Sequence, residues 1–345
     1  MISLGTSKPL MKAAAAIVEA ARPARAVFKL YRGGIGSKTK VMALTERYVL
    51  PVFFLAVFLG AMVLGPVLYL GLGVVWPIPF HRAMDRALLI SAVAALGLFW
   101  RRIPLAQLWP WNGAAWKRLL LGYFIAAVSI QAMLGAYLAL AGFTGADLSA
   151  GRVAGRVMLA LVAALLAPPL EETVFRGFIQ RELARVVGWR AGWVIAAAIF
   201  MLAHFLKIPV ELDRQPVHFW SGATAIGAAL VHFGHDLAKP ENLGKAANLF
   251  LVGLILGGIF LRSGSLWMNA GMHSGWIFGL LLFTGLTRPV KPPYISVFGG
   301  DILSSLVTTV VLVLTGLWLW RFYRHPSVSP ETTPATARGS GASAR

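Results

Sequence analysis

From Tyr48 to His81 the chain contains no Asp, Glu, Lys or Arg, and Val49 to Trp76 is apolar almost throughout. Such a run exceeds the ~20 residues that a helix needs to cross a ~30 Å hydrocarbon layer. Further apolar runs follow at Ala87 to Trp100, Leu119 to Phe143, Val153 to Ala167, Leu170 to Val187, Ala191 to Phe205, Ala247 to Leu261, Leu266 to Leu286 and Ile302 to Trp320. Several are short for a span, so they must be kinked, paired or shielded by neighbours. Composition agrees: 58% of the residues are hydrophobic and 13% charged, with a mean hydropathy of +0.72, whereas an ordinary soluble domain carries about a quarter charged residues. The pattern predicts an all-α fold, a polytopic transmembrane bundle of about eight spans in one domain. Pro168-Pro169 either kinks one long helix or separates two, and eight spans with one kinked is the preferred count.

Lys and Arg number 32 against 13 Asp and Glu, a net +19. Nucleic acid is the partner such a charge first brings to mind. The basic residues instead lie between apolar runs and at the termini, without interleaved aromatics, as a membrane topology requires. The expected partner is the lipid bilayer and no nucleic acid. Both termini are basic, so an even number of spans is expected, with both ends cytoplasmic; the expected setting is a bacterial inner membrane. No cysteine is present, which excludes disulfides, thiolate zinc sites and cysteine nucleophiles. The expected layout is a basic, interfacial arm at 1–47, a transmembrane domain at 48–323 and a disordered Ser/Thr/Pro/Gly/Ala-rich tail at 324–345. Within the domain, 207–245 reads as an amphipathic or re-entrant insert. Its His218, His232, His235 and Asp236 invite a metal reading, but they fall on a charged, loop-like segment.

Chemistry concentrates in LAPPLEETVFRGF. Glu171, Glu172 and Arg176 sit in apolar sequence, and ionisable groups at membrane depth are costly unless paired or facing a cavity. Glu172 and Arg176 are four apart and can pair on one helical face, while Glu171 is rotated by about 100° and lacks the same partner. A structural ion pair at a helix end is the plainer alternative. Gly188 then breaks the apolar pattern and predicts a helical hairpin. Glu171 stands 17 positions before Gly188 and His204 16 after it, so at ~1.5 Å per residue both lie ~25 Å from the turn. Phe200, one turn before His204, is placed to pack beneath the site. A third polar cluster lies in the last glycine-rich run, where Asn269 precedes His273 by one turn and Gly271 and Gly275 flank it. Together these groups outline a watery pocket with a carboxylate base, a partner histidine and a second histidine for an oxyanion.

Glu171-Glu172-x-x-x-Arg176, Phe200-x-x-x-His204 and the helix around His273 resemble, in order and spacing, the three motifs of the CPBP family. These are the CAAX proteases and bacteriocin-processing, Abi-type membrane enzymes. The resemblance covers about 153–286, the expected catalytic core. It implies a CAAX-protease-like fold of about eight helices and glutamate-dependent hydrolysis of a membrane-associated protein or peptide, with no cofactor required. By position, Glu171 activates water with His204, Glu172 and Arg176 organise the site, and His273 binds the oxyanion. The third motif departs at Ile277, where the family usually has Asn or Asp. Asn269 is the expected substitute donor, with Ser274 and Trp276 as others. Two alternatives accompany this reading. Zinc held by Glu171, Glu172, His204 and His273 suits the residue types although no HExxH is present. A weak or inactive scaffold, or a transporter using the same groups as a proton relay, is the other.

Overall fold

The computed structural model describes residues 47–72, 78–139, 143–289 and 302–322. All but the last residue of the expected N-terminal arm, and the whole expected tail, lie outside them. The described chain is helical nearly throughout. Helix α1 (Val49–Leu72) and α2 (Phe80–Leu98) form the first hairpin, and α3 (Ala115–Ala139) follows a short looped segment. Helix α4 (Ala150–Glu172) continues through a π-helical turn, Thr173–Ile179, into α5 (Gln180–Val187). Then come α6 (Trp189–Ala203), α7 (Ser221–Ala238), α8 (Pro240–Ser263), α9 (Trp267–Leu286) and α10 (Leu306–Phe322). Four stretches are long and apolar enough to cross a membrane, Val49–Gly71, Ala115–Tyr137, Ala150–Val187 and Pro240–Ser263, and two shorter apolar helices are α6 and α10. One small antiparallel ribbon joins the bundle, pairing Phe143 to Gly145 with Pro289 to Thr287.

Pro168 and Pro169 do not split their segment, because α4 runs through both. Proline lacks an N–H, so the carbonyl one turn earlier loses its helical donor, a serious cost where no water can replace it. Ser274 on α9 supplies a replacement, its hydroxyl donating to the Ala164 carbonyl at 2.6 Å. The expected turn at Gly188 is present, with φ +83° and ψ 159°, a conformation open almost only to glycine.

Helix α9 is seated by small residues. A β-carbon on Gly271 would lie 1.9 Å from the Leu119 carbonyl oxygen, and one on Gly122 would lie 2.2 Å from that of Met268. Backbone-to-backbone approach of this kind is how membrane helices associate when apolar burial gives them no preference over lipid. The α3-facing stripe leaves the opposite side of α9, with Asn269 and His273, turned toward α4 and α8.

The two ends of the bundle can be told apart by their contacts. Val49 at the start of α1 packs in one cluster with Leu96 near the end of α2, Leu108, and Leu266 before α9. Arg262 near the end of α8 lies over Trp320 near the end of α10. The first described helix therefore begins, and the last one ends, at the same end of the bundle. Segment 205–240 with α7 lies at the other end, where His81 near the start of α2 binds Asp213 through both its backbone N–H and its ring.

Candidate active site

Glu172 is the structural centre of the polar cluster. Its side chain is 0% exposed, and its carboxylate accepts hydrogen bonds from Arg176 Nη1 (3.1 Å), His273 Nδ1 (2.9 Å) and Asn269 Nδ2 (3.3 Å). Two helices thus converge on one anion: the α4 segment gives the Glu–Arg pair and α9 gives the other two donors. Arg176 lies over the Phe200 ring, with Cζ 4.5 Å from its centroid. The Phe200 ring also meets His204 (4.5 Å between centroids) and His273 (5.9 Å). This phenylalanine is the apolar floor on which the three cationic or aromatic groups rest.

Glu171 is placed differently. Its side chain keeps 25% of its exposure and lines a cavity of about 370 Å³ together with His204. Its Oε2 is buried with no hydrogen-bond partner among the described residues and stands 3.8 Å from His273 Nε2. Both histidines have an assigned inner nitrogen. Because a carbonyl only accepts, His204 Nδ1 must donate to Phe200 O (2.8 Å), and the Glu172 carboxylate accepts from His273 Nδ1. In each ring Nε2 is the atom left for chemistry.

The cavity walls are mostly apolar, drawn from α1 (Phe53, Phe54), α2 (Leu88, Ala92) and the α4–α6 region (Val174, Phe175). One further ionisable residue lines it, Asp85. Sequence reasoning missed this residue because the expected span began at Ala87. Its signal was helical spacing, since Asp85, Leu88, Leu89 and Ala92 fall on one face, and all four line the cavity.

The three proposed stand-ins for the missing donor at Ile277 are engaged elsewhere. Asn269 donates to the Leu256 carbonyl (2.6 Å) as well as to Glu172, so both amide hydrogens are occupied. Ser274 donates to Ala164 O and Trp276 Nε1 donates to Ser129 Oγ (2.8 Å). The geometry makes Asn269 a brace for Glu172 and speaks against the oxyanion role expected for it. Ile277 itself is half-buried.

The zinc alternative finds no ligand set, since no group of three or more His, Asp or Glu side chains among the described residues is arranged to hold a metal ion. Glu172 already accepts three hydrogen bonds from protein donors. In the 207–245 segment His218 precedes α7, His232 and His235 lie on its exposed later turns, and Asp236 binds Lys239.

A family model described as type II CAAX prenyl endopeptidase, Rce1-like, matches residues 153–279, the stretch that holds the whole cluster. Residues 153–279 are an Rce1-like domain of the CPBP family. No curated protein and no solved structure matches the chain. The Rce1-like family is one of peptide-bond hydrolases, and together with the apolar helices it makes this chain an integral membrane protein of CAAX-protease type. The Rce1-like match begins in α4 and ends in α9. It therefore leaves α1 and α2, which form one wall of the cavity, to the rest of the chain.

Proposed function

We propose that the chain is a glutamate-dependent intramembrane endopeptidase acting on a membrane-associated peptide or protein, with Glu171 as base. The observation that carries this reading is the division between adjacent carboxylates. Glu172 is held by three donors, whereas Glu171 faces the cavity with His204 and lacks a hydrogen-bond partner. A water between Glu171 and His204 Nε2 gives up a proton to Glu171 as its oxygen attacks the scissile carbonyl carbon. The carbonyl oxygen takes the electron pair and is held by His273 Nε2–H. That role needs a doubly protonated ring, whose charge the Glu172 carboxylate is placed to balance. Collapse of the tetrahedral intermediate breaks the C–N bond, and the proton passes to the leaving amine. Arg176 fixes Glu172 in place. Its Nη2 is a buried N–H group without an acceptor among the described residues, and we assign it as the second oxyanion donor because Asn269, Ser274 and Trp276 are engaged.

The substrate class follows the matched family's description, a prenylated C-terminal peptide, and the apolar walls of the cavity suit such a lipidated chain. The localisation proposed is a bacterial inner membrane with both termini cytoplasmic, and the catalytic core about 153–286. The test uses the full chain in detergent with a farnesylated CAAX peptide and detects the released tripeptide. Glu171→Gln is expected to lower turnover by at least about 10³-fold with an unchanged melting curve. Retention of wild-type turnover by Glu171→Gln removes the glutamate mechanism.

A further inference from the structure

A second cavity lies away from the active site, about 250 Å³ in volume, between α8, α10 and the first turns of α6. Its lower walls are aliphatic, including Leu251, Ile255 and Leu312, and its upper end is closed by Trp193, Arg262 and Trp320. Glycine makes the room. Gly258 and Gly316 line the groove, and a β-carbon on Gly316 would already lie 3.3 Å from Ile255.

Length and polarity point in one direction. Leu251 to Arg262 covers ~16 Å of helix at ~1.5 Å per residue, close to the ~15 Å depth of one leaflet of a ~30 Å hydrocarbon core. The upper end carries the residues of a membrane interface, two tryptophans and an arginine. Arg262 is held there, with Cζ 3.8 Å from the Trp320 ring centroid and Nη1 donating to Gly258 O (3.4 Å). Trp193 is anchored by its indole N–H on Leu254 O (2.9 Å). Two exposed arginines neighbour the mouth residues along the chain, Arg190, whose guanidinium lies over the Trp189 ring, one turn before Trp193, and Arg321 next to Trp320.

We infer that this groove is a binding site for one anionic phospholipid, with an acyl chain along α8 and the headgroup phosphate at Arg262, Arg190 and Arg321. An apolar trough one leaflet deep and ending in cations complements an amphiphile with a net negative head, whereas a zwitterionic lipid brings the same phosphate with a quaternary ammonium that the arginines repel. The site also backs onto the active site. Helix α8 presents the Leu256 and Gly257 carbonyls to Asn269 and Gln180, and the groove residues Ile255, Gly258 and Ile259 bracket them. A lipid in the groove steadies the helix that braces Asn269, and through it Glu172.

The test titrates the purified full chain in neutral detergent with phosphatidylglycerol, with phosphatidylcholine and with glycerol phosphate, reading bound lipid by native mass spectrometry and the melting temperature in parallel. Phosphatidylglycerol is expected to bind and to raise the melting temperature, phosphatidylcholine to bind at least about tenfold more weakly, and glycerol phosphate to do neither. Arg262→Gln should weaken phosphatidylglycerol about fivefold, the scale of one arginine at an anionic surface. Gly316→Leu, which fills the trough, should abolish binding, and Arg152→Gln at the opposite end should leave it unchanged. Should Arg262→Gln not fold, the Arg190→Gln/Arg321→Gln double variant tests the same cationic mouth. Equal binding of the two lipids, full effect of glycerol phosphate alone, or wild-type binding by both the arginine and the Gly316→Leu variants overturns the site. Because the readout is binding, it is independent of peptidase activity.

Discussion

Glu171 and Glu172 are consecutive, and the rotation of about 100° between them along a helix sends one into the cavity and the other into a ring of N–H donors. The consequence for mutation is a split in phenotype. Glu172→Gln leaves the Arg176 guanidinium, 1% exposed, without its counter-charge, and breaking a buried pair from one side costs about 3–5 kcal/mol. Its unfolding midpoint in detergent should drop well below that of Glu171→Gln, and equal losses would remove the division of labour. Asn269→Ala strips donors from both Glu172 and Leu256 O, so about 1–3 kcal/mol of stability should go with it. A fall in turnover with unchanged stability would instead restore an oxyanion role to Asn269. At this scale much was legible in sequence, because helical spacing alone pairs Glu172 with Arg176 and sets Glu171 apart. That His273 turns Nδ1 to Glu172 was not legible, since it depends on how α9 is rotated against α4. No local pattern records that rotation.

Among the elements, the α4–α9 contact shows how sequence can announce a problem without its answer. Pro168-Pro169 signals a carbonyl left without a donor, but the repair comes from Ser274, distant in sequence. The hairpin at Gly188 was readable because turn, flanking periodicity and residue count are all local. The π-helical turn Thr173–Ile179 left no such trace, and neither did α7 as an 18-residue helix. Ser274→Ala should cost about 1–3 kcal/mol by orphaning the Ala164 carbonyl. Most of that cost should vanish in a Pro168→Ala background, where a backbone N–H returns; additive losses in the double variant would show that Ser274 serves something else. Gly271→Ala is a sharper probe of α9 placement, since its added carbon meets a backbone oxygen at 1.9 Å. Lower yield and lower turnover are expected together, because the helix carrying His273 must move away from α3.

For the whole molecule, the contacts that put the start of α1 and the end of α10 at one end of the bundle make topology testable. The chain has no cysteine, so single cysteines report cleanly. With cytoplasmic termini, Asp147→Cys should react with a membrane-impermeant maleimide in intact cells, and Arg190→Cys only after lysis. The reverse pattern would turn the proposed orientation over. Exhaustive chelation should leave proteolysis intact, because Glu172 is engaged by three protein donors and no three-ligand set surrounds it among the described residues; loss of activity restored by zinc would revive the metal reading. The continuous helix from Ala150 to Val187 has a consequence of another kind. At ~1.5 Å per residue it measures roughly 55 Å, nearly twice the hydrocarbon thickness. Its charged last turns, with Arg181, Glu182 and Arg185, share one rod with Glu171 and Glu172, and so long a rod must project past an apolar layer of that thickness or tilt within it. That end and the two carboxylates belong to a single piece of backbone, interrupted by its π-helical turn. Any tilt of the helix that moves its charged end therefore moves Glu171 and Glu172 with it.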